Sequence, residues 1–270
     1  MFTLQTIWDD TLVFIKREQA LLVPLALATL GLGNMGSLIA QEFELAQPAD
    51  AMGAGLLALM LLFMLLILLG HLAIITLTLR SGMSVGEALR HAARCLWRVL
   101  VVQLVFGLII GLLAVPSLYK HVNELHTNTL ARAHFSLSEL LWLLILIVTA
   151  IWVSIRIMPV QALQVDQKIG IIDAIKKAFA LTRGHFLQLL GFALLLGVVA
   201  GIVQLATKFV LGSLFTIIGR SIGSPLTGKV LEALVQSALA TVVGLVSAVF
   251  VAKLYRALAG GDSDLKTIFG

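Results

Sequence analysis

The chain has 270 residues, of which 60% are hydrophobic and only 12% charged, with a formal net charge of +5 and a mean hydropathy of +1.05. Soluble domains carry roughly 25% charged residues, so this composition excludes an ordinary soluble fold. The basic surplus does not point to nucleic acid, because Lys and Arg flank apolar runs instead of forming one groove-sized patch.

The first acid-led segment is Thr6-Ile7-Trp8-Asp9, followed by residues 19–41 without one Asp, Glu, Lys or Arg. An apolar helix of about 20 residues crosses the roughly 30 Å hydrocarbon core of a bilayer. The run 19–41 therefore predicts a transmembrane helix. It does not read as a cleavable signal, since Asp9 and Asp10 stand where a basic region belongs and no A-x-A site follows. Pro24 is a candidate kink point within it, and Gly33-x-x-x-Ser37 offers a small-residue contact. Residues 51–79 form the second charge-free run, with no polar face at all.

Ser84-x-x-Glu87 has the spacing of a capping box, in which hydroxyl and carboxylate satisfy the N–H groups at a helix start. Val85, Leu89, Ala92 and Leu96 then share one face, which predicts a short amphipathic helix along the inner membrane surface. Arg90, Arg94 and Arg98 on it are candidates for lipid-headgroup contact. Cys95, the single cysteine, reads as a small packing residue. Residues 99–119 and 140–155 are the third and fourth runs, with Gly107-x-x-x-Gly111 and Pro116 in the third. Between them lie His121, Glu124, His126 and His134, whose separations match no standard zinc spacing, so no metal site is expected.

Gly170-Ile171-Ile172-Asp173-Ala174-Ile175-Lys176-Lys177-Ala178 repeats the pattern of residues 84–92, with an acid, alanine, an aliphatic residue, two basic-capable residues and alanine. Lys176, Lys177 and Arg183 complete the set of candidate headgroup contacts. The fifth and sixth runs are 184–207, with Gly197-x-x-x-Gly201, and 233–252. The apolar stretch 209–219 is short enough to lie in the outer interface, and a short polar tail covers 260–270. Gly33, Gly107, Gly111, Gly197 and Gly201 all fall on odd-numbered spans and are read as internal helix-packing positions, with those spans grouped centrally.

These elements give an all-α polytopic membrane protein with six transmembrane helices and short amphipathic cytoplasmic helices. The chain divides into three parallel helix-plus-hairpin repeats at about 1–80, 81–165 and 166–260, all within a single membrane domain. One side of the alternating spans carries 14 of the 19 basic residues and the other carries 5, namely Lys120, Arg132, Lys208, Arg220 and Lys229. The positive-inside rule then places both termini in the cytoplasm. Arg156 and Lys208, near span ends, read as snorkelling side chains.

Polar groups inside the spans are few and neutral: Asn34, His71, Gln103, Gln188 and Gln204. With no acid at mid-span to relay protons or hold a cation, an ion-coupled transporter is disfavoured. The chain also lacks H-E-x-x-H, a Walker A loop and G-x-S-x-G, so no catalytic, cofactor-binding or metal residue is assigned and no enzyme is expected.

Pro159-Val160-Gln161-Ala162-Leu163-Gln164-Val165-Asp166, followed by Gly170, Ala174 and Leu181-Thr182, resembles the inner end of the fourth span in bacterial YciC-type inner-membrane proteins. It is also similar to the membrane domain joined to some glycerophosphodiester phosphodiesterases. The resemblance implies a helical inner-membrane protein tied to lipid turnover or the envelope. Phosphodiesterase activity is not implied, because in those proteins it belongs to a separate soluble barrel. The reading is a non-catalytic inner-membrane protein supporting lipid or envelope organisation or a membrane partner. Its partners are membrane lipids, anionic ones included, with an oligomer compatible and no nucleic acid. The alternative is a transporter or channel for a lipid-like or amphipathic molecule, which a wet cavity lined by His71, Gln103, Asn34 or Gln204 would favour.

Overall fold

A computed structural model describes residues 4–46, 54–80, 82–119, 136–167 and 169–269. Their regular structure is entirely helical: α1 (Leu4–Ala26), a π-helical turn (Leu27–Gly31), α2 (Leu32–Ala46), α3 (Ala54–Leu79), α4 (Val85–Tyr119), α5 (Leu137–Ile157), α6 (Val160–Asp166), α7 (Ile171–Leu181), α8 (Phe186–Ser221) and α9 (Pro225–Phe269). Six stretches are long and apolar enough to cross a membrane: 4–41, 55–79, 85–115, 137–166, 186–221 and 226–260. The protein is an all-α, multi-pass membrane protein.

The helices α3 and α9 form the centre of the bundle. The α3 helix packs on α2, α4, α6, α9 and the π turn, while α9 packs on α1, α2, α3 and α8. The odd-numbered spans are therefore not grouped centrally, contrary to the expectation from their small residues. Gly33 does meet a neighbour, since a Cβ there would lie 2.5 Å from Ile67 Cγ1 and 3.1 Å from the Phe63 carbonyl. At Gly107, Gly111, Gly197 and Gly201 a Cβ would meet nothing within 4 Å, so these four make no packing contact with the described residues. The close approaches lie elsewhere. A side chain at Gly70 would overlap Thr29, one at Gly36 would overlap the Phe63 ring, and one at Gly228 would overlap the Phe215 carbonyl.

Each of the three acid-led segments is helical, but each joins its span differently. The first is the start of α1, with Thr6 inside the helix instead of capping it, and it meets the span at a kink in which Glu18 leaves helical geometry (φ −102°, ψ 15°). The kink is thus at Glu18 and not at Pro24. The second runs unbroken into its span as α4, opened by the expected box: Ser84 N and Oγ donate to Glu87 Oε2 at 3.0 and 2.9 Å, and Glu87 N donates to Ser84 Oγ at 3.3 Å. The third, α7, is a separate helix that ends at Thr182, with Gly184 at φ +92° turning the chain into α8.

The apolar faces of these helices meet protein instead of lying on lipid. Ala88, Ala92, Ala174 and Ala178 are buried, and Val85, Leu89, Leu96, Ile171 and Ile175 pack against the same core. The alanines let backbones approach, so the amphipathic helices close one end of the bundle. Residues 209–219 also depart from the interfacial expectation, because α8 continues through them as one 36-residue helix braced on α9. At 1.5 Å per residue such a helix is longer than the hydrocarbon core is thick. The polar tail likewise continues α9, to Phe269.

Candidate functional site

A cavity of about 630 Å³ lies where two groups of helices meet. Ser37 of α2, Met64, Ile67, Leu68 and His71 of α3, and Ser247 and Val251 of α9 form one wall. Val99, Val102 and Gln103 of α4, Ser154, Ile157 and Met158 of α5, and Val160 and Gln161 of α6 form the other. Its volume falls in the range of small-molecule sites, roughly 300–1,000 Å³.

The wall chemistry is uniform in one respect, since no charged side chain lines the cavity. Polar capacity comes from one imidazole, two carboxamides and three hydroxyls, which donate and accept without carrying formal charge. His71 and Gln103 make no hydrogen bond to any other described residue. In a low-dielectric interior such groups gain by pairing with a ligand or water. The position of His71 follows from local packing. Gly70 seats α3 against Thr29 in the π turn, and Gly244 of α9 leaves only ordinary contact distance, 3.4 Å from a notional Cβ, to His71 Nε2. Single π turns inside α-helices recur at functional sites.

Below the cavity, α6 carries the segment on which the sequence resemblance rested. Val160, Ala162, Leu163, Gln164 and Val165 are buried. Its last carbonyls are capped by side chains from other helices. Cys95 Sγ donates to Gln164 O at 3.5 Å, His91 Nε2 bonds Val165 O at 2.9 Å, and Arg80 Nη2 donates to the same oxygen at 3.3 Å. Tyr255 donates to Asp166 Oδ2 at 2.7 Å, and Lys177 donates to Gln167 Oε1 at 2.9 Å. Cys95 is a buried free thiol, and its packing role is accompanied by this bond. The amide of Gln164 is 1% exposed and neither polar atom has a hydrogen-bond partner among the described residues. A buried water is the usual resolution of such a pair.

Arg156 does not snorkel to a headgroup. Its Nη1 donates to Phe179 O at 3.3 Å and Thr182 Oγ1 at 3.2 Å, and its guanidinium lies 5.4–5.9 Å from the ring centres of Trp152, Phe179 and Phe186. It thereby ties α5 to the last turn of α7, where unpaired carbonyls favour a cation.

Of the neutral polar residues read from sequence, His71 and Gln103 come together in the cavity. Asn34 and Gln204 do not line it; Gln204 is exposed on α8, as is Gln188. Ser37, Ser154, Gln161 and Ser247 were not legible, because serine is common in spans and only a register against neighbouring helices turns it inward. Of the candidate headgroup residues, Arg90, Arg94, Lys176, Lys177 and Arg183 are exposed and Arg98 is half-buried. They are divided between α4, α7 and the turn after α7, which carries Arg183. His121, Glu124, His126 and His134, with Lys120 and Arg132, lie outside the described residues. Among the described residues no group of three His, Cys, Asp or Glu is placed to hold a metal.

The family model with the description Domain of unknown function (DUF7847) matches residues 4–258, and the chain belongs to that family. The match covers all six apolar helices almost to their ends. Neither the curated proteins nor the solved structures gave a match.

Proposed function

We propose that this membrane protein binds a neutral, lipid-like molecule in the cavity between its two groups of helices and that this binding serves lipid or envelope organisation without catalysis. The observation that carries the reading is a cavity of about 630 Å³ whose polar groups, led by His71 and Gln103, are uncharged. A charged ligand would have no counterion there, and burying an unpaired charge is far more costly than burying a hydroxyl, ester or ketone that can be hydrogen-bonded. The apolar wall, with Ile67, Leu68, Val99, Val102 and Val160, suits hydrocarbon. Moving such a molecule between leaflets is the second reading, favoured by the position of the cavity at a seam that separates two helix groups.

The proposed setting is a bacterial inner membrane with both termini cytoplasmic. The 14 to 5 distribution of basic residues supports the orientation, and the resemblance of residues 155–190 to YciC-type proteins supports the setting. Cysteine labelling at Gly86 and Asp262 should report the inside, and at Asp50, Asn128 and Ser224 the outside; a reversed pattern at two of these sites overturns the orientation.

The binding test is extraction and mass spectrometry of lipids retained by the purified protein. The wild type should keep a neutral lipid, and Ser154→Leu, which fills the cavity, and Gln103→Leu, which removes a donor and acceptor, should lose it. Wild-type protein that retains no neutral lipid, or variants that fold and retain it unchanged, would overturn the reading. Transbilayer movement of the retained lipid in vesicles separates transport from storage.

A further inference from the structure

A second pocket, of about 370 Å³, opens at the kink in α1. Glu18 and Arg80 line it together, Ser84 stands at the same rim, and Leu21, Leu22 and Leu77 form its apolar part. Arg80 and Ser84 belong to the connection between two spans, directly after Leu79, where the apolar stretch ends. Leu77 lies two residues inside that stretch. The pocket therefore runs from the level of the headgroups into the first turn of hydrocarbon.

Its two charges are not paired with each other. The ion pair among the described residues is Arg17 Nε with Glu18 Oε1 at 3.0 Å, between side chains that are 67% and 34% exposed. Exposed pairs of this kind are weak and exchange readily. Arg80 uses Nη2 for the Val165 carbonyl, and a guanidinium has five N–H donors in a planar fork suited to phosphate. Lys253 lies 4.9 Å and Arg17 5.6 Å from the centre of the Phe14 ring, which also lines the pocket, so the surroundings are basic while the pocket itself holds one carboxylate.

We propose that this pocket binds the headgroup of a zwitterionic aminophospholipid, with the phosphate on Arg80, the ammonium on Glu18 and the upper chains against Leu21, Leu22 and Leu77. A cation and an anion facing one pocket without neutralising each other complement a headgroup of the same two charges. An anionic headgroup would bring its negative charge to Arg80 but set it beside the Glu18 carboxylate, whose exposed pair with Arg17 offsets that repulsion only weakly. The site is independent of the central cavity, with which it shares no lining residue.

The test uses the full chain in detergent, titrated with phosphatidylethanolamine, phosphatidylglycerol, phosphatidylcholine or the chain-free compound phosphoethanolamine, and read by native mass spectrometry. The wild type should bind phosphatidylethanolamine about tenfold more tightly than phosphatidylglycerol, the discrimination one charge-assisted contact provides. Glu18→Gln should remove or reverse that preference, and Arg80→Gln should weaken both lipids. Because Arg80 also holds the Val165 carbonyl, Glu18→Gln decides the matter, with unchanged helicity as its folding control. Equal binding of the two lipids by the wild type, or an unchanged preference in Glu18→Gln, overturns the proposal. Phosphoethanolamine binding as tight as the lipid would overturn the lipid assignment, since the three leucines would then contribute nothing.

Discussion

The two halves of the bundle are built to different rules. In the spans of α1–α2, α3 and α9, 33–39% of the most apolar window is buried inside the protein; in those of α4, α5 and α8, the share is 6–11%. Both groups are strongly apolar, so composition does not distinguish them. What differs is the use of small residues. In the first group they sit where another backbone arrives: Gly33 and Gly36 against Phe63 and Ile67, Gly70 against Thr29, and Gly244 against Leu30 and His71. In the second group Gly107, Gly111, Gly197 and Gly201 face open space, while the C-terminal half of α8 packs on α9 through Gly212 against Glu232 and Gly219 against Gly228. Since lipid chains are as apolar as leucine, association in a membrane depends on close packing instead of the hydrophobic effect. A closely packed trio follows, with α4 and α8 each joined to it along one neighbour, α3 and α9 respectively, and the main cavity is lined from both sets of helices.

The most severe way to break this contrast is at Gly70. Valine there must displace Thr29 from a buried position beside the π turn, and overpacking of this kind costs about 3 kcal/mol. Gly70→Val should lower the unfolding midpoint in detergent sharply and reshape the cavity, because His71 is the next residue. A variant with wild-type stability would mean that α3 and the π turn are not in contact.

Arg156 is a polar anchor of the second group of helices, and Arg156→Ala tests it. The change removes two hydrogen bonds to the end of α7 and contacts with three aromatic rings, a loss of about 2 kcal/mol. Arg156→Lys should recover only part, because an ammonium lacks the planar fork that both stacks and donates. If lysine restores full stability, the residue acts as a simple interfacial charge. A milder effect is expected at the start of α4, where Ser84→Ala removes the capping hydroxyl and should cost about 1 kcal/mol by thermal unfolding.

Much of this architecture was legible because hydrophobic runs and capping boxes are local signals. The six apolar helices, the helical character of the acid-led segments and the Ser84–Glu87 box all rest on residues within a few positions of one another. The partners of each helix were not legible, since Gly-x-x-x-Gly specifies a surface that permits close approach but not whether anything approaches. For the same reason Gly107 and Gly197 were read as packing positions while Gly70 and Gly228, with no such spacing, were missed. The cavity was half visible: His71 and Gln103 stand out as polar residues in apolar runs, but Ser37, Ser154 and Ser247 gain meaning only from the register of three different helices. Arg156 was misread because its partners, Phe179 O and Thr182, lie beyond the turn that folds α7 back.

The smallest expected effect is also the most discriminating for the contrast. Replacing Gly107, Gly111, Gly197 and Gly201 together by Ala adds four methyl groups to positions where none would touch another described residue. If these glycine faces of α4 and α8 meet only lipid, stability should stay within about 0.5 kcal/mol per site or rise slightly, because alanine is the better helix former. Size-exclusion profiles and unfolding midpoints should therefore match the wild type. A lower midpoint, or a shift from a larger to a smaller particle, would mean that these faces are covered by a second protein surface in the membrane. The 6–11% burial of the looser spans would then describe an isolated protomer, and the difference between the two halves would be one between internal and intermolecular packing.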